Sequence, residues 1–126
     1  GEVVVIEEWR QAVKRVNRAL PAGSMEESDA EPRDAVSREL REETGYEAET
    51  VDHLYTAEPA NGYADSVFHY FLAKGCEPTA QQDLDFNESI RVETTDFEGL
   101  LESVRAGDFR DGRSAVGIMY YALFER

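Results

Sequence analysis

The sequence predicts an α/β (α+β) sandwich, and three observations carry that prediction. The chain has 126 residues with 41% hydrophobic residues, enough for one cored domain and too few for two. Strand-like and helix-like segments are mixed without regular alternation. The apolar runs, such as Val3 to Ile6, are only a few residues long, so no segment is expected to cross a bilayer, and no basic, apolar leader is read at the start.

Residues 2–7 predict a strand, β-branched and continuously apolar in the middle. Leu20-Pro21-Ala22-Gly23 predicts a loop. Residues 32–44 predict a helix, with Pro32 in its first turn and Gly45 just past its end. Val36 and Leu40 give that helix an apolar stripe. Strands follow over 50–57, 66–73 and 89–94, with Asn61-Gly62 as a turn. Residues 97–106 predict a short helix packed on Leu100, Leu101 and Val104 and stopped by Gly107. Residues 114–125 predict a last helix that buries Val116, Met119, Tyr120 and Leu123. The chain opens on Gly and enters a strand at once, so residues preceding Gly1 are expected.

Charge narrows the function. Asp and Glu total 27 against 13 Lys and Arg, a net of −14. Such a chain repels nucleic-acid phosphates, so nucleic acid is excluded as a bulk electrostatic partner, and a phosphate substrate requires cations. Only Lys14 and Lys74 are lysines, and this acid-rich, lysine-poor balance resembles that of halophilic proteins. The single Cys76 allows no internal disulfide and points to the cytoplasm. His53 and His69 read as ordinary strand or loop residues outside any metal-spacing motif.

The informative segment is Arg38-Glu39-Leu40-Arg41-Glu42-Glu43-Thr44-Gly45-Tyr46. On a helix Glu39, Glu42 and Glu43 share one face. At about 5 Å and an effective dielectric near 20, each like-charge pair costs roughly 3 kcal/mol. The patch therefore faces open water, as Glu-rich helices usually do, or a cation neutralises it. Mg²⁺ suits the second case, because it takes one or two carboxylates, waters and substrate phosphate oxygens. Arg38, four residues before Glu42, is placed to pair with it and fix its rotamer.

Every fixed position of this segment matches the second half of the Nudix box, Gly-x5-Glu-x7-Arg-Glu-U-x-Glu-Glu-x-Gly-U, where U is aliphatic or aromatic. The chain resembles a Nudix hydrolase over nearly its whole length and is read as one domain, 1–126, of the Nudix α/β/α sandwich type with a mixed sheet and two or three helices. The first half of the box departs from the pattern. Ala30 stands at the expected Glu and Ser24 at the expected Gly, with Gly23 one position early, so the loop carries one extra residue. Asp29 or Glu31 is available to stand in for the missing Glu.

The start, Val3 to Arg10 followed by Leu20 to Gly23, is similar to the ADP-ribose pyrophosphatase branch of the family, as are Pro59, the acidic loop Asp85 to Glu88 and the segment Gly107 to Asp111. That resemblance implies a set of roles. Glu39 and Glu43 ligate Mg²⁺ (or Mn²⁺ in its place), assisted by the Ala22 carbonyl beside Gly23, with Glu42 and Glu88 as further ligands. Arg38 holds the carboxylates. Arg10 contacts substrate; Trp9, taken for its place beside Arg10 and not from the resemblance, is the first aromatic expected against the nucleobase. Glu42, Asp85 and Glu88 remain alternatives for the general base; Phe86 stands where the branch has an acid. The implied reaction is ADP-ribose plus water giving AMP and ribose 5-phosphate. The branch also implies a homodimer built with a further N-terminal strand region. Two other readings are a hydrolase of nucleoside triphosphates or dinucleotides and a non-catalytic nucleotide-binding regulator.

Overall fold

A computed structural model describes residues 1–126. Its strands are β1 (Glu2–Arg10), β2 (Arg15–Ala19), β3 (Thr50–Ala57), β4 (Phe68–Lys74) and β5 (Ile90–Asp96). Its helices are α1 (Pro32–Thr44), α2 (Phe97–Arg105) and α3 (Gly112–Tyr120), the last continuing as a π-helical turn over Tyr121–Glu125. No helix is long and apolar enough to cross a membrane.

The continuous apolar run of β1 reflects its place as the middle strand of the order β2-β1-β5. Val5 and Ile6 point to opposite faces and are both buried, so this sheet is covered on both sides. One side holds the core of Val5, Leu100, Phe109 and Ile118, with Val3, Leu20 and Phe97 packed against it. Leu100 and Val5 are fully buried, each contributing roughly 1.5–3 kcal/mol. α1 contacts β3, β4 and β5. The α/β class stands. Within it every strand pair is antiparallel, and β3 and β4 form a separate two-stranded sheet.

β2 was not foreseen. Its sequence, Arg-Val-Asn-Arg-Ala, carries two arginines, and its one large apolar residue, Val16, is exposed. It is an edge strand, where charge is tolerated and apolar alternation is weak.

The final helix also corrects the sequence reading. It starts earlier, at Gly112, capped by the Asp111 carboxylate, which accepts from the Ser114 N–H at 3.1 Å. It buries Ser114, Gly117 and Ile118, whereas Val116 is 39% exposed, Met119 42% and Leu123 74%. Tyr120 is half-buried and stacks on Tyr55 at 5.1 Å between centroids. Two faces share the helical period, and the larger apolar residues suggested the wrong one. The face of Ser114, Gly117 and Ile118 wins because Ile118 joins the core and α3 approaches closely: a Cβ at Gly117 would lie 3.0 Å from the Tyr70 ring. Ser114 Oγ accepts from the Leu20 N–H at 3.0 Å, and the Tyr70 hydroxyl donates to the Arg113 carbonyl at 2.6 Å. α3 thereby ties the β3–β4 sheet to the central one.

Candidate active site

α1 supplies most of the site, and its ends fix its register. Pro32 occupies the first turn, and the Glu31 N–H donates to the Asp34 carboxylate at 3.1 Å. The helix closes at Gly45, whose N–H donates to the Arg41 carbonyl at 2.8 Å. One face of the helix then carries Glu39, Glu42 and Glu43 as a group.

Two loops close on that face. Loop 20–31 brings Ala22 and Gly23 against it. The Ala22 N–H donates to Glu43 Oε2 at 3.0 Å. Gly23 has no room for a side chain, since a Cβ there would lie 2.1 Å from Glu39 Cδ. Loop 81–89 comes from the other side. The Asp83 N–H donates to the Glu42 carbonyl at 2.7 Å, and Gln82 Nε2 donates to the carbonyls of Glu43 and Ile90 at 2.7 and 3.1 Å. Glu88 Oε1 accepts from the Asp85 N–H at 2.8 Å.

Between these walls lies a cavity of about 370 Å³. Ala22, Gly23, Glu39, Glu42, Glu43 and Glu88, all read from the sequence as site residues, line it together. Asp85, the remaining candidate base, lines it too. Glu26 and Asp83 also line it and were missed. They sit in irregular loops where no periodicity aims a side chain; for Asp83 the available signal is the density of acids over 83–88.

Arg38 stands behind the cavity as the hub of its carboxylates. Its Nη1 donates to Glu39 Oε1 at 2.7 Å and to Glu42 Oε2 at 3.2 Å. Its Nε and Nη2 donate to the two oxygens of Asp29 at 3.2 and 2.8 Å, and Nη2 also donates to the Ser24 carbonyl at 3.0 Å. The Asp29 carboxylate holds the guanidinium charged well beyond its ordinary range, and Arg38 in turn holds the Asp29 carboxyl below the usual value.

Arg10 and Trp9 are not among the lining residues. Arg10 Nη1 donates to Glu8 Oε1 at 3.1 Å, and Trp9 Nε1 donates to Gln11 Oε1 at 3.2 Å. Strand alternation puts Arg10 on the face of Ile6 and Glu8, and Trp9 on the opposite face with Val5. Arg10 thus shares its face with Glu8, whose charge adds to the rise of the Glu43 carboxyl, and Trp9 lies on the other face. His53 and His69 are not isolated from each other: on β3 and β4 they share the Thr56 hydroxyl at 2.7 and 3.0 Å, and neither lines the cavity.

The electrostatics are those of a site short of positive charge. Burial pushes the Glu43 carboxyl up to about 8, with the Glu39 charge adding to the effect and the Ala22 N–H opposing it. Burial also raises Glu39, against the pull of Arg38. The donor set is oxygen alone, from carboxylates and backbone, without histidine or cysteine, which suits a hard divalent cation. The carboxylates are arrayed around the cavity; no three acidic, His or Cys side chains close on one point as a finished ligand set. That arrangement fits a cation that keeps waters and shares phosphate oxygens.

A pH dependence follows from Glu43. Its folded value near 8 lies above the ordinary 4.5, so folding favours the neutral acid. The metal-free protein is expected to lose stability as pH rises from about 4.5 to 8. Melting temperatures in EDTA across that window, compared with Glu43→Gln, check this: the wild type should fall relative to the variant. A parallel pair of curves would refute it.

A family model described as the NUDIX domain matches residues 1–115. The chain is 30% identical over 126 residues to the ADP-ribose pyrophosphatase of Bacillus subtilis (strain 168), covering 99% of this chain and 68% of that protein. It is 28% identical over 126 residues to the methanol dehydrogenase activator of Bacillus methanolicus, with the same coverage. A crystal structure described as an ADP compounds hydrolase superposes with a TM-score of 0.84 at 18% identity, covering 96% of this chain and 64% of that one. The fold is thus shared by a protein with few identical residues.

Proposed function

This chain belongs to the NUDIX domain family and is a pyrophosphohydrolase of it; from that premise we propose that it hydrolyses ADP-ribose or a related nucleoside diphosphate sugar with Mg²⁺. The observation that carries this reading is the intact Arg38 to Tyr46 segment, folded so that Glu39, Glu42 and Glu43 face Glu88 across one cavity.

A divalent cation, if held there, would supply charge neutralisation of the diphosphate oxygens and a lowered pKa of the attacking water. The chain's own residues do the rest. Glu39 and Glu43 would hold the cation, with Ala22 beside them. Arg38 keeps Glu39 and Glu42 in fixed rotamers through Nη1. Glu42, Asp85 and Glu88 all line the cavity and are the candidate proton acceptors for the water. The P–O bond of the bridge breaks, and water supplies the new oxygen, giving AMP and ribose 5-phosphate from ADP-ribose. Arg10, on the same face of β1 as Glu8, is assigned to the outer phosphate or terminal sugar.

The test is turnover with Mg²⁺ on ADP-ribose, other nucleoside diphosphate sugars, nucleoside triphosphates and dinucleotides. The reading expects AMP and ribose 5-phosphate, with the highest kcat/KM on the diphosphate sugars. A preference for triphosphates would replace the substrate class. Tight ADP-ribose binding without hydrolysis would make the domain a regulator.

The same reading includes the cytoplasm as compartment, supported by a lone free cysteine, and a second copy of the chain as partner, supported by the branch resemblance. It also includes adaptation to high salt. With a net charge of −14, added KCl first screens self-repulsion, and at about 1 M the Debye length falls to roughly 3 Å. Adaptation predicts a melting temperature and activity that keep climbing into molar KCl. A plateau or decline at lower salt removes this part of the proposal.

A further inference from the structure

The family's box places a glutamate at position 30, where this chain has an exposed alanine. We propose that Asp29 is the positioning residue of the cation site in its place, acting through Arg38; this rests on the reading of the acidic cavity as a cation site. The side chain of Asp29 is only 5% exposed and is pinned twice. Its Oδ2 accepts from the Glu26 N–H at 2.8 Å as well as from Arg38, and its own N–H donates to the Glu26 carbonyl at 3.0 Å. Gly23 and Asp29 keep the Gly-x5-acid spacing of the pattern, and the extra residue lies between Asp29 and Arg38. Counted from Gly23, position 29 is the one that meets the guanidinium, while Glu31 is the N-cap of α1, its N–H donating to Asp34.

The guanidinium is planar and rigid. With one edge fixed on both oxygens of Asp29, its Nη1 is held where it meets Glu39 and Glu42, with Glu26 Oε1 also within 3.4 Å. Without that anchor the cation is free to slide over Glu39 and compete with a metal for its oxygens. Asp29 never reaches the cavity itself, yet it decides where two cavity carboxylates stand.

Asp29→Asn and Asp29→Ser, run together so that one misfolding variant leaves another, are compared with Asp29→Glu and with the double variant Asp29→Ala/Ala30→Glu. The readouts are the Mn²⁺ concentration at half-maximal thermal stabilisation, and kcat and KM separately at saturating Mg²⁺. Loss of a residue that orients metal ligands typically costs about tenfold to a hundredfold in metal affinity. Asn and Ser should raise the Mn²⁺ midpoint by about tenfold and lower kcat more than KM. Asp29→Glu should recover most of the loss, and the glutamate at position 30 should not. An Asn variant within about twofold of wild type in Mn²⁺ midpoint overturns the proposal, as does recovery by Ala30→Glu equal to that by Asp29→Glu. A wild type that binds Mn²⁺ but turns over no diphosphate sugar defeats the substrate reading alone, since the midpoints still decide Asp29. A wild type stabilised by no Mn²⁺ overturns the cation site and this role together.

Discussion

Glu43→Gln is expected to lower kcat/KM by about a hundredfold or more while making the metal-free protein more stable at pH 8. The two effects have one cause. Glu43 is 5% exposed, and its carboxyl is pushed up to about 8 by burial beside Glu39. Ionising it in the folded chain therefore costs free energy, of order 2–4 kcal/mol at the upper end of that window. Gln keeps the shape, and its amide oxygen still accepts the Ala22 N–H. It removes only the charge a cation would use. Urea melts in EDTA at pH 8, together with Mg²⁺ kinetics, check both signs. A Gln variant that unfolds would make Glu43 a structural acid and remove it from the chemistry.

Arg38→Gln is expected to produce the other large effect, and in the opposite direction on stability. Arg38 is the shared donor for Asp29, Glu39, Glu42 and the Ser24 carbonyl. A neutral amide reaches one of these at most and leaves Asp29, Glu39, Glu42 and Glu26 without their shared counter-charge. The melting temperature should drop by several degrees, with metal affinity down about tenfold or more. Lysine should rescue poorly, because a point charge cannot span the fork. The loss depends on pH with a definite sign. Asp29's value is depressed in the fold, so its pairing stabilises above the ordinary 3.8 and fades as pH falls through the depressed value. The gap between wild type and variant should therefore narrow in acid. An equal gap at pH 3 and pH 7 would show that Arg38 acts by packing alone.

These residues were legible in the sequence because they lie on a helix. Pro32, Gly45 and the Arg38 to Tyr46 spacing set the α1 register, and register sets which carboxylates share a face. Glu88 was found through a resemblance in the loop, and the structure brings it to the same cavity. Asp83 and Glu26 were not legible, because irregular loops carry no period from which orientation can be computed. The choice of Asp29 over Glu31 depended on how an inserted residue was absorbed, a tertiary matter. Trp9 is adjacent to Arg10, yet in a strand adjacent residues face opposite ways, so the two cannot serve one face. The last helix failed for a related reason. Size suggested Val116 and Met119 for the core, but close approach to Tyr70 required Gly117 there instead. The edge strand β2 carried too much charge to read as a strand at all.

The most direct test of the central claim is anomalous diffraction from crystals soaked in Mn²⁺. The account predicts a peak in the cavity bounded by Ala22, Glu39 and Glu43, lost in Glu43→Gln crystals. Mn²⁺ bound only elsewhere on this acidic surface, with that cavity empty, would contradict it.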